Sequence, residues 1–232
     1  MHIVLNVFFQ ELMPGLTAKV FRTYNASKTL EEQLDQKVRA AGGPAAFAKL
    51  PEYEKVLRYN EANKDVAILC NHKRTIPLTH QKQMDALSEK RKKLMATKRE
   101  LAGKVKILRA GGELPKEEGK RAMGLDQAEN GLKRAVEAIK KLDVAEKTRT
   151  ELADVALGTS KINYMDPRIT VAFAKAQKVH IEKLFPSTLL AKFGWTMEEV
   201  PSFRFLVSKE RLAAEIANYG NDDADEEDED EE

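Results

Sequence analysis

The fourteen residues Leu157-Gly158-Thr159-Ser160-Lys161-Ile162-Asn163-Tyr164-Met165-Asp166-Pro167-Arg168-Ile169-Thr170 surround one tyrosine with hydroxyl, amide and cationic side chains. Tyr164 then has two readings: it packs a loop against a core, or its hydroxyl does chemistry. A phenol has a reference pKa near ~10 and is a poor nucleophile at neutral pH without help. If it attacks phosphorus, negative charge accumulates on the non-bridging oxygens. An arginine fork meets those oxygens with two hydrogen bonds and stays charged, which a lysine does less well. Lys19 and Arg22 are spaced to face the same way on a helix. Read alone, Arg22 in an apolar helix is an ion-pair partner. His72, after Ala67-Ile68-Leu69-Cys70, is a core histidine on the same terms.

The elements that must position these residues read as helices. Residues 3 to 39 are mostly helical, with Ile3, Val4, Val7 and Phe8, then Leu16, Val20 and Tyr24, at helical spacing. Ser27 or Thr29 is a candidate N-cap, with Glu32 completing a capping box after Thr29. Ala40 to Pro51, with Gly42-Gly43-Pro44, reads as a flexible connection, followed by a helix from about Glu52 to Asn71. From Leu125 the apolar positions Leu125, Ala128, Leu132, Ala135, Ile139 and Leu142 form a heptad seam. Met84, Leu87, Leu94, Leu101, Val105 and Leu108 form its counterpart. Ala110 to Pro115 breaks the two arms, which predicts an antiparallel hairpin roughly 40 Å long at ~1.5 Å per residue. Leu157 to Phe205 reads as a small helical unit with helices after Pro167 and around Leu189. A short helix is expected over 207–219.

Bulk composition narrows the partners. The net charge of +2 conceals a division: ten of the 37 acidic side chains lie in 222–232, so the preceding residues carry 39 basic against 27 acidic groups, or +12. A basic body with an acidic end suits a polyanion and an intramolecular competitor for it, although ribosomal or membrane-surface binding fits the charge equally well. The acidic run cannot fold by itself. Cys70 is the single cysteine, so no internal disulfide or zinc finger is available. His2, His72, His80 and His180 are too scattered to suggest a metal site. With no apolar run long enough for a membrane helix and no signal-peptide pattern, the chain reads as a soluble intracellular protein. Lys90-Arg91-Lys92-Lys93 is a candidate nuclear-import signal, on a basic hairpin that is equally a solvated coiled coil.

Three long blocks resemble eukaryotic type IB DNA topoisomerases. The stretch around Tyr164 is similar to that family's active-site tyrosine box. Leu12 to Ser27 (LMPGLTAKVFRTYNAS) and Tyr59 to Arg74 (YNEANKDVAILCNHKR) look like the late part of its catalytic core, in the family's order and followed by a helical linker. The resemblance covers about Leu12 to Phe205. It implies a mainly α chain: the end of the DNA breaking-rejoining core over 1–80 and a coiled-coil linker over 81–153. A C-terminal domain with the nucleophile follows over 154–206, then a short helix and acidic tail over 207–232.

The resemblance also assigns roles. Tyr164 would attack a DNA phosphodiester to give a 3′-phosphotyrosine and a free 5′-hydroxyl, and keeping the ester energy in that bond makes religation independent of ATP. Arg22, from the Lys-x-x-Arg element, and His72, from the Asn-His element, would hold the scissile phosphate. Lys19, Asn71, Thr159, Lys161 and Asn163 would contact DNA, mostly at phosphates and with tolerance of sequence. No metal or cofactor is implied. Double-stranded DNA is the implied partner and the nucleus the implied location. The family's further arginine and its lysine general acid belong to a more N-terminal region, so the chain is expected to be the C-terminal third of the enzyme: a truncated gene model, a splice product or one subunit of a split enzyme. It would then need the N-terminal core in trans. The alternatives are a non-catalytic DNA- or histone-binding helical protein and, more distantly, a tyrosine recombinase.

Overall fold

The computed structural model describes residues 2–114 and 123–207, so the expected helix over 207–219 and the acidic run lie outside the described residues. Among the described residues the chain is helical and has no strand beyond an isolated antiparallel bridge between Lys73 and Val155. No described helix is long and apolar enough to cross a membrane. The chain divides into two compact units, one of residues 1–49 with 158–232 and the other of residues 50–157. These units cut across the expected segments 1–80, 81–153 and 154–206. The physical reason is that the helix after Pro51 packs on the second hairpin arm.

In the first unit, α1 (His2–Leu12) and α2 (Ala18–Ala40) are joined through Pro14-Gly15. The Asn6 side-chain oxygen accepts the first α2 amide, Ala18 N–H, at 3.0 Å, and the Phe9 and Phe21 rings lie 5.0 Å apart. Ala26, Ser27, Leu30, Glu31 and Leu34 are the buried residues of α2, which leaves Lys19 and Arg22 on an exposed face. The expected N-cap at Ser27 or Thr29 is therefore corrected: both residues are inside α2, which starts at Ala18. The expected flexible connection also contains a short helix, α3 (Pro44–Ala48), because Phe47 is fully buried and meets the Phe173 ring edge-on at 5.8 Å.

The same unit holds the C-terminal elements α7 (Leu157–Asn163), α8 (Pro167–Gln177) and α9 (Ser187–Lys192), leaving aside the first residue of α7. Asp166 caps α8 by accepting Arg168 N–H at 2.9 Å, with Pro167 at the first helical position. Val171, Phe185, Leu189 and Phe193 form a core under Ile181, Leu190 and Met197. Residues 203–206 return to α2, where the Glu31 carboxylate accepts Phe205 N–H and Leu206 N–H at 2.9 Å each. Arg204 pairs with Asp35 one turn further along.

In the second unit, α4 (Glu52–Leu69) precedes the hairpin arms α5 (His80–Arg109) and α6 (Leu125–Glu151). Val105, Ala128, Ala135, Ile139 and Leu142 are buried, and the remaining predicted seam residues are half-buried. The first arm ends at Ala110, with Gly111 at φ +77°, a conformation open to glycine at little cost. Arg91–Asp143 and Arg109–Glu129 pair across the arms at 2.7 Å. Lys147 on α6 pairs at 2.7 Å with the largely buried Glu61 on α4.

Candidate active site

Tyr164 occupies the short turn between α7 and α8, in the first unit. Two amides, Tyr164 N–H and Met165 N–H, converge on the Ser160 carbonyl at 3.0 Å each and end α7. The chain then has to start α8 at Pro167, so only residues 164–166 connect the two helices. Met165 points inward, 5% exposed, which leaves Tyr164 half-exposed on the rim. Sequence periodicity cannot produce this placement. It follows from a buried neighbour, a helix stop and a proline-started helix within four residues.

Arg22 comes from α2, 142 residues away in sequence, and meets the tyrosine. Its guanidinium carbon lies 4.9 Å from the ring centroid, and Nη1 donates to the Tyr164 hydroxyl at 3.4 Å. A cation over an aromatic face is attracted by the ring's quadrupole. The same guanidinium therefore meets both the ring face and the hydroxyl of Tyr164. Lys19 is exposed one turn earlier on α2. Thr159 and Asn163 are exposed on one face of α7, and the Asn163 amide donates to the Thr159 carbonyl at 3.2 Å.

Lys161 departs from the expected DNA contact. It is 9% exposed, and its ammonium donates to the Leu184 carbonyl at 2.8 Å. The helical phase of α7 turns it inward, while Thr159 and Asn163 face outward. Burial lowers its pKa from 10.5 to about 8. In this position it ties α7 to the segment before α9.

The residue that sequence reasoning missed is Ser27. It is fully buried in α2, and its hydroxyl accepts Asp166 N–H at 2.9 Å and donates to the Tyr164 carbonyl at 3.4 Å. Its only sequence signal was a small hydroxyl residue in the apolar phase of α2, five residues after Arg22.

Asn71 and His72 belong to the second unit. Asn71 takes a left-handed conformation, φ +54°, which asparagine tolerates better than most residues, and His72 N–H closes onto the Ala67 carbonyl at 2.8 Å. The His72 carbonyl accepts Ala156 N–H at 2.9 Å. Arg74 donates from Nε to the Ala153 carbonyl at 2.9 Å and from Nη2 to the Leu152 carbonyl at 3.2 Å, fixing the turn to the end of α6. His72 is half-exposed on this braced turn, and Asn71 is exposed. Among the described residues no group of three or more His, Cys, Asp or Glu could hold a metal ion.

Comparisons with known proteins identify a family. A profile described as the catalytic core of eukaryotic DNA topoisomerase I matches residues 2–105, and one described as the C-terminal topoisomerase domain matches residues 136–205. DNA topoisomerase 1 beta of Arabidopsis thaliana is 44% identical over 207 residues, covering 88% of this chain and 22% of the relative. DNA topoisomerase 1 of Drosophila melanogaster is 45% identical over 194 residues, covering 84% of this chain and 18% of the relative. The Homo sapiens protein named DNA topoisomerase I, mitochondrial, is 43% identical over 195 residues, covering 83% and 31%. The chain thus spans between about a fifth and a third of the length of these relatives.

Proposed function

The chain belongs to the eukaryotic DNA topoisomerase I family, and on that premise we propose that it supplies the nucleophile of an ATP-independent type IB DNA topoisomerase. In this reading Tyr164 attacks a phosphodiester of double-stranded DNA. The bond between phosphorus and the 5′ oxygen breaks, a 3′-phosphotyrosine forms and the 5′ oxygen leaves as a hydroxyl. Return of that hydroxyl reverses the step and releases Tyr164, so supercoils relax between cleavage and religation without ATP. Arg22 and His72 hold the non-bridging oxygens and stabilise the charge that accumulates there. Lys19, Asn71, Thr159 and Asn163 grip the flanking backbone. Residues 1–80 act as the end of the core, 81–153 as the linker and 154–206 as the nucleophile domain, in the nucleus.

The observation that carries the proposal is the Arg22 guanidinium on the Tyr164 hydroxyl, two residues 142 positions apart brought together by the fold. Protonation of the leaving 5′ oxygen is assigned to the family's more N-terminal core, so the 232 residues taken alone are expected to bind DNA without efficient turnover. The test mixes the chain with the N-terminal core of the Drosophila melanogaster relative, carrying no tyrosine box, and a nicked suicide substrate. A covalent adduct and plasmid relaxation that vanish with Tyr164→Phe are expected. No adduct in the mixture sinks the catalytic reading in favour of a binding protein of the same descent. Relaxation by the isolated chain overturns the need for a partner.

A further inference from the structure

We infer that Ser27 is a positioning residue for the nucleophile, and that it sets Tyr164 in register with Arg22 by gripping the backbone on both sides of Met165. The inference rests on the proposed role of Tyr164. Its geometry is specific. The Ser27 hydroxyl accepts Asp166 N–H at 2.9 Å and donates to the Tyr164 carbonyl at 3.4 Å, so one side chain uses both hydrogen-bonding capacities on one three-residue turn. Two contacts fix the orientation of a peptide segment where one leaves it free to pivot.

Ser27 is itself immobilised. It is fully buried, and its neighbours Ala26 and Leu30 on α2 are also fully buried. The same helix carries Arg22 five residues earlier, roughly 7.5 Å along the axis at ~1.5 Å per residue. A rigid α2 therefore acts as a ruler: it holds the guanidinium at one end and the backbone of the attacking residue at the other. The Asp166 side chain is already committed to the α8 cap and to the Arg168 guanidinium. The turn is thus fixed to α8 through Asp166 and to α2 through Ser27. Loss of the second tie leaves the hydroxyl–guanidinium contact without a backbone reference.

The test uses Ser27→Ala, which deletes only the hydroxyl and favours the helix, and Ser27→Thr, which keeps it. With the mixed enzyme and suicide substrate, single-turnover cleavage by Ser27→Ala is expected to fall roughly tenfold to a hundredfold, the scale of a small misplacement of a reacting group. DNA affinity is expected to stay put, the thermal midpoint to fall only by the little that one stranded, partly buried N–H costs, and Ser27→Thr to restore most of the rate. Equal cleavage rates in wild type and Ser27→Ala overturn the inference, as does a parallel loss of rate, affinity and midpoint, which is the mark of a purely structural residue. A second arm needs no catalysis and separates failure of this inference from failure of the catalytic reading. In the isolated chain, nuclear Overhauser contacts between the Tyr164 ring and the Arg22 side chain are expected in wild type and lost in Ser27→Ala. Their persistence in Ser27→Ala overturns the inference, whether or not any adduct forms.

Discussion

The hairpin and the Tyr164 turn are built on opposite principles. The α5–α6 seam repeats one contact type along its length, so each buried apolar residue has neighbours that do the same work. Its cross-arm ion pairs are half-exposed and contribute little to stability. The Tyr164 turn has no repetition. One guanidinium, one hydroxyl, one helix cap and one buried ammonium each hold a different atom. Redundant packing spreads the loss from any one substitution. A set of single polar contacts concentrates it, and does so where a reaction needs a fixed distance.

The largest effect should follow from Arg22. Arg22→Ala removes the guanidinium that donates to the Tyr164 hydroxyl, and in the proposed reaction one preorganised donor is worth about 3–4 kcal/mol of transition-state stabilisation, or roughly 10²–10³-fold in rate. Adduct formation by the mixed enzyme measures it, with Arg22→Lys recovering part because charge returns without the fork. If Arg22→Ala cleaves at the wild-type rate, the Arg22–Tyr164 contact is ornament and the contrast with the hairpin collapses.

Next comes Lys161, whose buried ammonium contributes a pH dependence of known sign. Folded, it gives up its proton near pH 8, whereas the unfolded chain holds it to about 10.5. Between those values the unfolded state binds more protons, so stability rises with pH through that window and is flat below it. The full amplitude is on the order of 3 kcal/mol. Denaturant unfolding at pH 7.5 and pH 10 should show this gain in wild type and not in Lys161→Met. Identical pH responses would mean that water reaches the ammonium.

The hairpin was legible in the sequence and most of the turn was not, for one physical reason. A seam is periodic: the residues from Leu125 to Leu142 declare their own partner face, and those positions are buried or half-buried in the structure. The connection at 40–51 misled because Gly42-Gly43-Pro44 signals a break more loudly than one buried aromatic, Phe47, signals a short helix. Tyr164, Arg22 and His72 were grouped only through likeness to a family, since nothing periodic links Arg22 to a tyrosine 142 positions away. Likeness gave Lys161 as a DNA contact but not its inward orientation, because a motif carries residue identity and not helical phase. Ser27 lay inside a matched block and was read only as a candidate helix cap, since a single buried hydroxyl leaves no pattern that points to its partners.

Within the hairpin, Ile139→Ala tests the claim of redundancy. Ile139 is 8% exposed, and deleting a buried aliphatic side chain costs about 2–5 kcal/mol, at the low end where neighbours can close in. Hydrogen exchange of the α6 amides should therefore report a loss near ~2 kcal/mol. A loss near the upper bound would show that the seam depends on single residues as the active turn does.

The smallest effect has the opposite sign and tests how closely the two arms approach. Gly131 lies inside α6, where glycine costs up to about 1 kcal/mol relative to alanine because the unfolded chain has more freedom to lose. A Cβ at that position would stand 3.4 Å from both terminal methyls of Leu101 on the facing arm. That is at the tight edge of ordinary van der Waals contact, and the methyls are the mobile end of a half-buried side chain on a solvent-accessible hairpin. Gly131→Ala should accordingly slow exchange of the α6 amides by a few-fold, equivalent to about 0.5–1 kcal/mol. Faster exchange would mean that Leu101 cannot give way and that the arms are locked at this layer, so that one hairpin position would share the intolerance of the Tyr164 turn.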